Sequence, residues 1–291
     1  MRTIGFVGLG AMGAPMTRAL LGAQFAVRGT DIRPAALERL AGDGGVACAS
    51  AAEAASGADA LVLMVVDAGQ AEAVLFGGGA LEALPEGAVV VLMATCAPAA
   101  VVSIAQRVRA SGRGFVDAPV SGGVGGATSG TLTIMAAGAA ADFEAVRPVF
   151  SALGERVFHV GEAVGQGAVV KTINQLLCGV HIAVAAEAFA LAEKLGVDGA
   201  VLLEIMGGSA ASSWMLRDRG PRMLEQDPRV ASAVDIFVKD LGIVMQAGRD
   251  AKAALPIAAL AHQMFLAASG AGHGAADDSQ VIRGDRALTG G

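Results

Sequence analysis

The chain has 291 residues and carries 21 lysines and arginines against 27 aspartates and glutamates, a formal net charge of −6. This acidic balance, with only 4% aromatic residues and no tyrosine, argues against nucleic acid as a partner. The three cysteines are scattered without metal-ligand spacing, so we expect reduced thiols, no bound metal and a cytoplasmic protein. The apolar run that starts at residue 3 leads us to expect no signal peptide.

The segment from residue 3 to residue 31 contains the most specific pattern. An apolar strand over residues 3–7 leads into Gly8, Leu9, Gly10, Ala11, Met12 and Gly13, which fit G-x-G-x-x-G. Gly8 permits a tight turn, Gly10 lets the backbone approach a pyrophosphate, and Gly13 lets the following helix pack closely on the sheet. Glycine is frequent in this chain, with 41 residues, but the surrounding strands and helix predict a dinucleotide site.

The end of the second strand, predicted over residues 25–30, decides which dinucleotide is preferred. Asp31 can accept hydrogen bonds from both ribose hydroxyls and would repel a 2′-phosphate, so we predict NAD as the cofactor, with NADP disfavoured. Ile32 is predicted to line the same site. Arg33 leaves an alternative open, because its guanidinium could pair with a 2′-phosphate instead of being an ordinary solvated charge.

Strand and helix patterns alternate along the first half. Further strands are predicted over residues 60–66, 88–93, 114–117, 131–136 and 156–159, and helices over residues 34–40, 70–75 and 98–110. This alternation predicts an α/β protein with a Rossmann-type doubly wound parallel sheet. Past residue 167 only helical patterns follow, so we predict an NAD-binding Rossmann domain over residues 1–163 and an all-α substrate and dimerisation domain over residues 164–291. The end of the tail over residues 270–291 is expected to be loose.

An unusually apolar helix is predicted over residues 168–195. Its charged and polar residues, including Lys171, Glu187 and Glu193, would be costly in lipid, so we predict a buried helix rather than a membrane span. Such a helix suits the centre of a helical domain or of a homodimer or homotetramer. Lys171, Asn174, Gln175 and Cys178 share one face of it. On composition alone, a snorkelling lysine at a helix end is the favoured interpretation of Lys171.

A second glycine segment, residues 117–123, follows a predicted strand, and residues 124–130 are predicted to continue as a loop. Loops at the carboxyl ends of strands line the ligand crevice of a doubly wound sheet. Ser121, Gly122 and Gly123 can offer a hydroxyl and successive amides to a carboxylate. A mobile glycine-rich connection without a ligand is the alternative interpretation.

Taken together, these segments resemble the β-hydroxyacid dehydrogenase family, the group that contains 3-hydroxyisobutyrate dehydrogenase and tartronate semialdehyde reductase. The resemblance spans almost the whole chain and rests on residues 6–13, 117–123 and 165–167, on Lys171 with Asn174, and on residues 239–241 and 278–279. The segments over residues 171–182 and 213–215 look most like the branch of L-threonate dehydrogenases.

The resemblance implies a role for each matching position. Lys171 matches the catalytic lysine, which must be neutral to accept a hydroxyl proton and so needs a pKa lowered by desolvation or by nearby positive charge. The implied substrate contacts are Ser121, Gly122, Gly123, Asn174, Gln175 and Trp214, and the implied cofactor contacts include Val65, Val66, Thr95, Phe237 and Lys239. Trp214 and Phe237 could instead be core residues. Gln175 departs from the family pattern, in which asparagine is usual, and this argues against a simple 3-hydroxyisobutyrate assignment.

The implied activity is NAD-dependent oxidation of a small anionic hydroxy acid, with a four-carbon sugar acid such as L-threonate favoured. 3-Hydroxyisobutyrate dehydrogenase and semialdehyde or glyoxylate reductase activities of the same family are the alternatives. A dinucleotide-binding sensor without turnover is the alternative of a different class, although a sensor would not need both the lysine and the carboxylate loop.

Overall fold

The computed structural model describes residues 2–289. The chain divides into two compact units, the first ending at Lys171 and the second starting at Thr172. This division lies inside one long helix, Gln166–Lys194, and the boundary predicted between residues 163 and 164 precedes that helix by two residues. Each unit is described separately below.

The first unit is built on a sheet that contains nine strands within the described residues. Its strands are β1 (Thr3–Val7), β2 (Ala26–Thr30), β3 (Val46–Ala47), β4 (Ala60–Leu63), β5 (Val89–Leu92), β6 (Gly114–Asp117), β7 (Val120–Ser121), β8 (Thr133–Ala137) and β9 (Arg156–Gly161). The spatial order is β3-β2-β1-β4-β5-β6-β8-β7, and β9 pairs with β8. Strands β1 to β3 are added toward one side of the sheet, and β4 and the strands after it are added toward the other side. In doubly wound sheets such a switch point leaves a crevice at the carboxyl ends of the two strands beside it, here β1 and β4.

Helices cover both faces of this sheet. They are α1 (Gly13–Gly22), α2 (Pro34–Gly42), α3 (Ala51–Ala55), α4 (Ala68–Glu72), α5 (Ala80–Ala83), α6 (Pro98–Arg109), α7 (Gly123–Ser129) and α8 (Ala140–Leu153), and a π-helical turn covers Ala73–Gly77. Every residue of β4 and β5 is buried, as expected for parallel strands covered on two sides. The predicted Rossmann architecture is confirmed.

Three details of the first unit differ from the prediction. The strand predicted to reach Val66 ends at Leu63, so residues 64–66 lie just beyond the carboxyl end of β4. The sheet is not wholly parallel, because β8 runs antiparallel to β6 and to β7. Residues 123–129, predicted as loop, form α7, because packing overrides the poor helix propensity of its three glycines: Ala127 is buried and Gly126 lies against Leu132.

The second unit is helical. Its elements are α9 (Gln166–Lys194), which begins in the first unit, then α10 (Gly199–Gly207), α11 (Trp214–Met223), α12 (Val234–Asp250), α13 (Pro256–Ala268) and α14 (Ile282–Leu288), with a π-helical turn over Ser269–His273 and a 3₁₀ turn over Asp278–Val281. Its core packs α9, α11, α12 and α13 around Phe189, Leu241 and Phe265. The tail is ordered through Leu288, and residues 290 and 291 lie outside the described part.

Within the described residues, α9 is the one helix long and apolar enough to cross a membrane. Half of the residues in its most apolar stretch are buried inside the fold. Such burial is also typical of core helices in water-soluble proteins. That α9 does not span a membrane stays a prediction.

Candidate active site

The glycine turn after β1 is shaped by two close backbone approaches, at Gly8 and Gly13, and by open space at Gly10. Gly8 has a φ of +94°, and a Cβ there would meet the carbonyl oxygen of Met64. A Cβ on Gly13 would overlap the carbonyl oxygen of Gly8, so only glycine lets α1 start at this point. At Gly10 the nearest atom to a Cβ is Nη2 of Arg33, at 3.5 Å. The backbone at Gly10 is therefore open to an approaching group, which fits a pyrophosphate.

Asp31 at the end of β2 is joined to this turn. Its Oδ2 accepts the backbone amide of Leu9 at 2.7 Å, and its Oδ1 accepts the backbone amide and Nε of Arg33 at 3.0 and 2.9 Å. Burial alone would raise the pKa of Asp31, but hydrogen bonds from Arg33 and Leu9 outweigh it and hold the pKa below its usual value. The carboxylate is thus ionised beside the glycine turn, and Ile32 next to it is almost fully exposed.

The other predicted cofactor residues of the first unit follow neighbouring strands. Val65 and Val66 come after β4, and Thr95 comes after β5. Because β1, β2, β4 and β5 are parallel, their carboxyl ends lie on the same edge of the sheet. Val66 is half exposed, and Val65 and Thr95 are partly exposed. The structure therefore brings these residues to the same edge as the glycine turn.

The predicted carboxylate-binding loop leads from β7 into α7. Ser121 ends β7, and Gly122 and Gly123 have φ angles of +122° and +59°. Those positive φ angles turn the chain sharply and are easy only for glycine. All three residues are partly exposed. The segment is thus a defined turn between a strand and a helix, and its role in binding a carboxylate stays a prediction.

Lys171 lies near the start of α9, and its side chain is only 7% exposed. The snorkelling alternative is therefore wrong, since a snorkelling side chain keeps its charged end in water. The backbone amides of Gly165, the residue just before α9, and of Ala168, in its first turn, donate to the carboxylate of Asp117 at the end of β6. Lys171 follows directly on this anchored first turn.

In the second unit a chain of polar contacts connects the predicted substrate amides with Lys239. Nδ2 of Asn174 donates to Oε1 of Gln175 at 2.9 Å, and Nε2 of Gln175 donates to Oδ2 of Asp240 at 2.5 Å. Nζ of Lys239 pairs with Oδ1 of the same aspartate at 2.6 Å. Gln175 and Asp240 are both buried. The longer side chain at residue 175 is thus held at both of its polar ends.

The sequence did not decide whether Trp214 and Phe237 belong to the site or to the core. In the structure, the two side chains differ in exposure. Trp214 begins α11 and is 48% exposed, so it is not a core residue. Phe237 is 3% exposed, and its ring stacks on Phe265 with centroids 5.1 Å apart. Phe237 therefore packs in the core of the helical unit, and its assignment to the cofactor site stays a prediction.

Two acidic residues that the sequence did not single out hold site residues in place. Asp117 lies within the glycine segment used for the resemblance, and Asp240 directly follows Lys239. A carboxylate at the end of a buried strand was the available signal for Asp117, and a Lys-Asp pair in an apolar helix was the signal for Asp240. In residues 2–289, no group of three or more His, Cys, Asp or Glu residues is placed to hold a metal ion.

Comparison with known proteins agrees with this geometry. Residues 3–161 match the family model described as the NAD-binding domain of 6-phosphogluconate dehydrogenase, so the first unit contains an NAD(P)-binding domain. Residues 165–284 match the model described as NAD-binding of NADP-dependent 3-hydroxyisobutyrate dehydrogenase.

Individual relatives cover nearly the whole chain. L-threonate dehydrogenase of Cupriavidus necator is 48% identical over 97% of this chain and 95% of its own length. The Haemophilus influenzae enzyme of the same name is 41% identical over 97% of this chain and 94% of its own length. A crystal structure titled 3-hydroxyisobutyrate dehydrogenase, from Salmonella typhimurium, superposes with a TM-score of 0.93 at 41% identity, covering 97% of this chain and 99% of that one. The chain belongs to the 3-hydroxyisobutyrate dehydrogenase-like family of NAD(P)-binding hydroxyacid dehydrogenases.

Proposed function

We propose that this protein is an NAD-dependent dehydrogenase that oxidises a small hydroxy acid, with L-threonate as its substrate. The observation that carries the proposal is the nearly buried Lys171, placed just after an anchored helix start in the same unit as the glycine turn and the Ser121 loop. Relatives named L-threonate dehydrogenase at 40–48% identity support the choice of substrate.

Each group has a defined task in this proposal. The hydroxyl of Ser121 and the amides of Gly122 and Gly123 bind the substrate carboxylate. Nζ of Lys171 accepts the proton of the hydroxyl that is oxidised, and in the reverse direction it returns the proton to the forming alkoxide. Asn174 and Trp214 are proposed to contact the substrate hydroxyls and carbon chain. When bound, the nicotinamide cofactor supplies the hydride acceptor.

The preference for NAD over NADP rests on Asp31. Its carboxylate is ionised and lies against the glycine turn, where a 2′-phosphate would meet its negative charge. Arg33 supports the same conclusion, because its guanidinium already pairs with Asp31. Because Arg33 is already paired with Asp31, it would bind a phosphate more weakly than a solvated arginine would.

A panel of hydroxy acids tests the proposed activity. Purified protein is mixed with NAD and, in separate wells, L-threonate, D-threonate, 3-hydroxyisobutyrate and glycerate, and NADH is followed by absorbance. We expect the highest kcat/KM with L-threonate. A higher value with 3-hydroxyisobutyrate would favour the activity named for the Salmonella structure, and binding of NAD without turnover on any acid would favour a sensor.

We further propose that the protein is a homo-oligomer. None of the nine residues of α10 is buried, although most are apolar, and a groove of 490 Å³ runs along α9 and α10 with Leu191 and Leu195 exposed on its wall. A second copy of the chain presents the same apolar helices. In an isologous interface, each copy would cover the apolar helices of the other. Light scattering of the wild type and of Ile205→Glu tests this, the variant being expected to dissociate.

A further inference from the structure

Asp117 is an isolated carboxylate inside the first unit, 1% exposed at the end of β6. Its Oδ1 accepts the amide of Gly165 at 3.0 Å, and its Oδ2 accepts the amide of Ala168 at 2.9 Å. These amides belong to the start of α9, where backbone N–H groups have no partner within the helix. The side chain of Asp117, a strand residue, therefore caps the amino end of α9. The residue just before a helix usually has this role.

The first turn of α9 also packs closely against the sheet. A Cβ on Gly167 would lie 2.8 Å from Oδ2 of Asp117 and 2.5 Å from the carbonyl oxygen of Met135 in β8. No side chain fits between the first turn of α9 and the ends of the two strands. The first turn is thus seated directly on the sheet, and the carboxylate and the glycine fix its position together.

Asp117 is also connected to both groups that the proposed reaction brings together. It precedes Ser121 by four residues, and Ala168, which it holds, precedes Lys171 by three residues. Three helical residues rise by about 4.5 Å, less than one turn, so displacement of the anchored turn would displace Lys171 nearly as far. Burial raises the pKa of Asp117 although its backbone hydrogen bonds act in the opposite direction.

We propose that Asp117 is a positioning residue for the reaction: by clamping the start of α9 it fixes Nζ of Lys171 relative to the carboxylate-binding loop. The proposal rests on the role given above to Lys171. A misplacement of about 1 Å in such an arrangement lowers turnover on the order of a hundredfold, which is far more than the loss of one helix cap alone would do to activity.

The first test compares two matched substitutions. In Asp117→Asn the amide oxygen accepts one backbone N–H and the NH₂ group cannot accept the other, so we expect kcat to fall by about tenfold or more while the Kd for NAD stays within about twofold. Asp142→Asn is the control, because Asp142 also receives an amide of β6, that of Phe115 at 3.2 Å, but at a distance from α9 along the chain. We expect its kcat to be that of the wild type.

The second test is a double-mutant cycle with Lys171→Ala, with activity measured in the presence of an added primary amine. If Asp117 acts through the lysine, Asp117→Asn causes no additional loss of amine-rescued turnover when Lys171 is absent. An equal loss in both backgrounds would overturn the positioning role and leave a structural one. If Asp117→Asn is not recovered folded, Asp117→Ser, which keeps a smaller acceptor, is taken through the same cycle.

The outcomes separate this inference from the proposed function. Full activity of Lys171→Ala would refute the role of the lysine, and the positioning role with it. Normal kcat in Asp117→Asn beside an inactive Lys171→Ala would refute the positioning role alone.

Discussion

The carboxylate of Asp31 accepts the backbone amide of Leu9 at 2.7 Å, and this contact joins the end of β2 to the glycine turn that follows β1. The turn therefore has a fixed negative charge at its side before any cofactor binds. Arg33 donates to the same carboxylate from its backbone amide and from its side chain. The cofactor preference that we propose therefore involves a pair of opposite charges rather than the acid alone.

Replacement of Asp31 tests cofactor choice. Asp31→Asn keeps an acceptor for the amide of Leu9 but removes the charge and frees Arg33, so NADP loses a repulsion and gains a partner. We expect the ratio of kcat/KM for NADP to that for NAD to rise about tenfold or more. Arg33→Ala alone is the control and should leave NAD preferred. A wild type that prefers NADP would contradict the role of Asp31.

Removal of the buried lysine tests the proposed chemistry. In Lys171→Ala, kcat should fall by about 10² to 10⁴, the usual contribution of a general acid or base, while NAD affinity changes little. Initial rates and titration with NAD measure the two quantities. Lys194→Ala, at the exposed far end of the same helix, is the control and should behave as the wild type.

The glycine turn offers two substitutions that should fail in different ways. In Gly10→Ala the new methyl group meets only the end of Arg33, so we expect a normally folded protein with strongly weakened NAD binding. In Gly13→Ala the methyl group would overlap the carbonyl of Gly8, so the protein itself should be destabilised. Thermal unfolding with and without NAD distinguishes them; equal Tm values for the two variants would contradict this account.

The helical unit contains a carboxyl group that makes stability depend on pH. Burial, and then the charge of Glu187, raise the pKa of Asp285 from 3.8 to about 6, and its Oδ2 has no hydrogen-bond partner in the described part of the chain. Between those values the folded protein binds a proton that the unfolded chain has released. The free energy of unfolding should therefore decrease as pH rises from 3.8 through about 6.

Asp285→Asn removes this titration. Above pH 6 we expect the variant to be more stable than the wild type by about 1–3 kcal/mol, and below 3.8 we expect the two to be alike. Denaturant unfolding across that range measures the difference. Glu225→Gln, at an exposed position of the same unit, is the control, and a pH-independent difference for Asp285→Asn would disprove the explanation.

Local pattern was enough to predict the sheet and the edge at which the site residues meet. The G-x-G-x-x-G turn, Asp31 and the strand ends before Val65 and Thr95 follow from chain order, because parallel strands bring their carboxyl ends together. The roles of Lys171 and of the Ser121 loop came from resemblance, and they stay predictions. The sequence could place Lys171 on a helix but could not show that it is buried.

What could not be predicted depends on contacts between distant segments. Residues 123–129 read as loop because of their glycines, yet α7 forms since those glycines allow close packing. Asp117 holds amides 48 and 51 residues further along, and Gln175 reaches Asp240 across 65 residues. The packing of Phe237 on Phe265 could not be predicted either, because nothing in the sequence around Phe237 indicates its partner ring.

The missing side chain at Gly167 limits how this enzyme can be redesigned. A library directed at new substrates would include positions near Lys171, but at Gly167 any larger residue would displace the first turn of α9 from the strands beneath it. Useful diversity is therefore confined to positions beyond the lysine, such as Asn174, and to the partly exposed Trp214. If Gly167 and Asp117 are left unchanged, the start of α9 stays seated on the sheet, and the proposed position of the Lys171 amine depends on that contact.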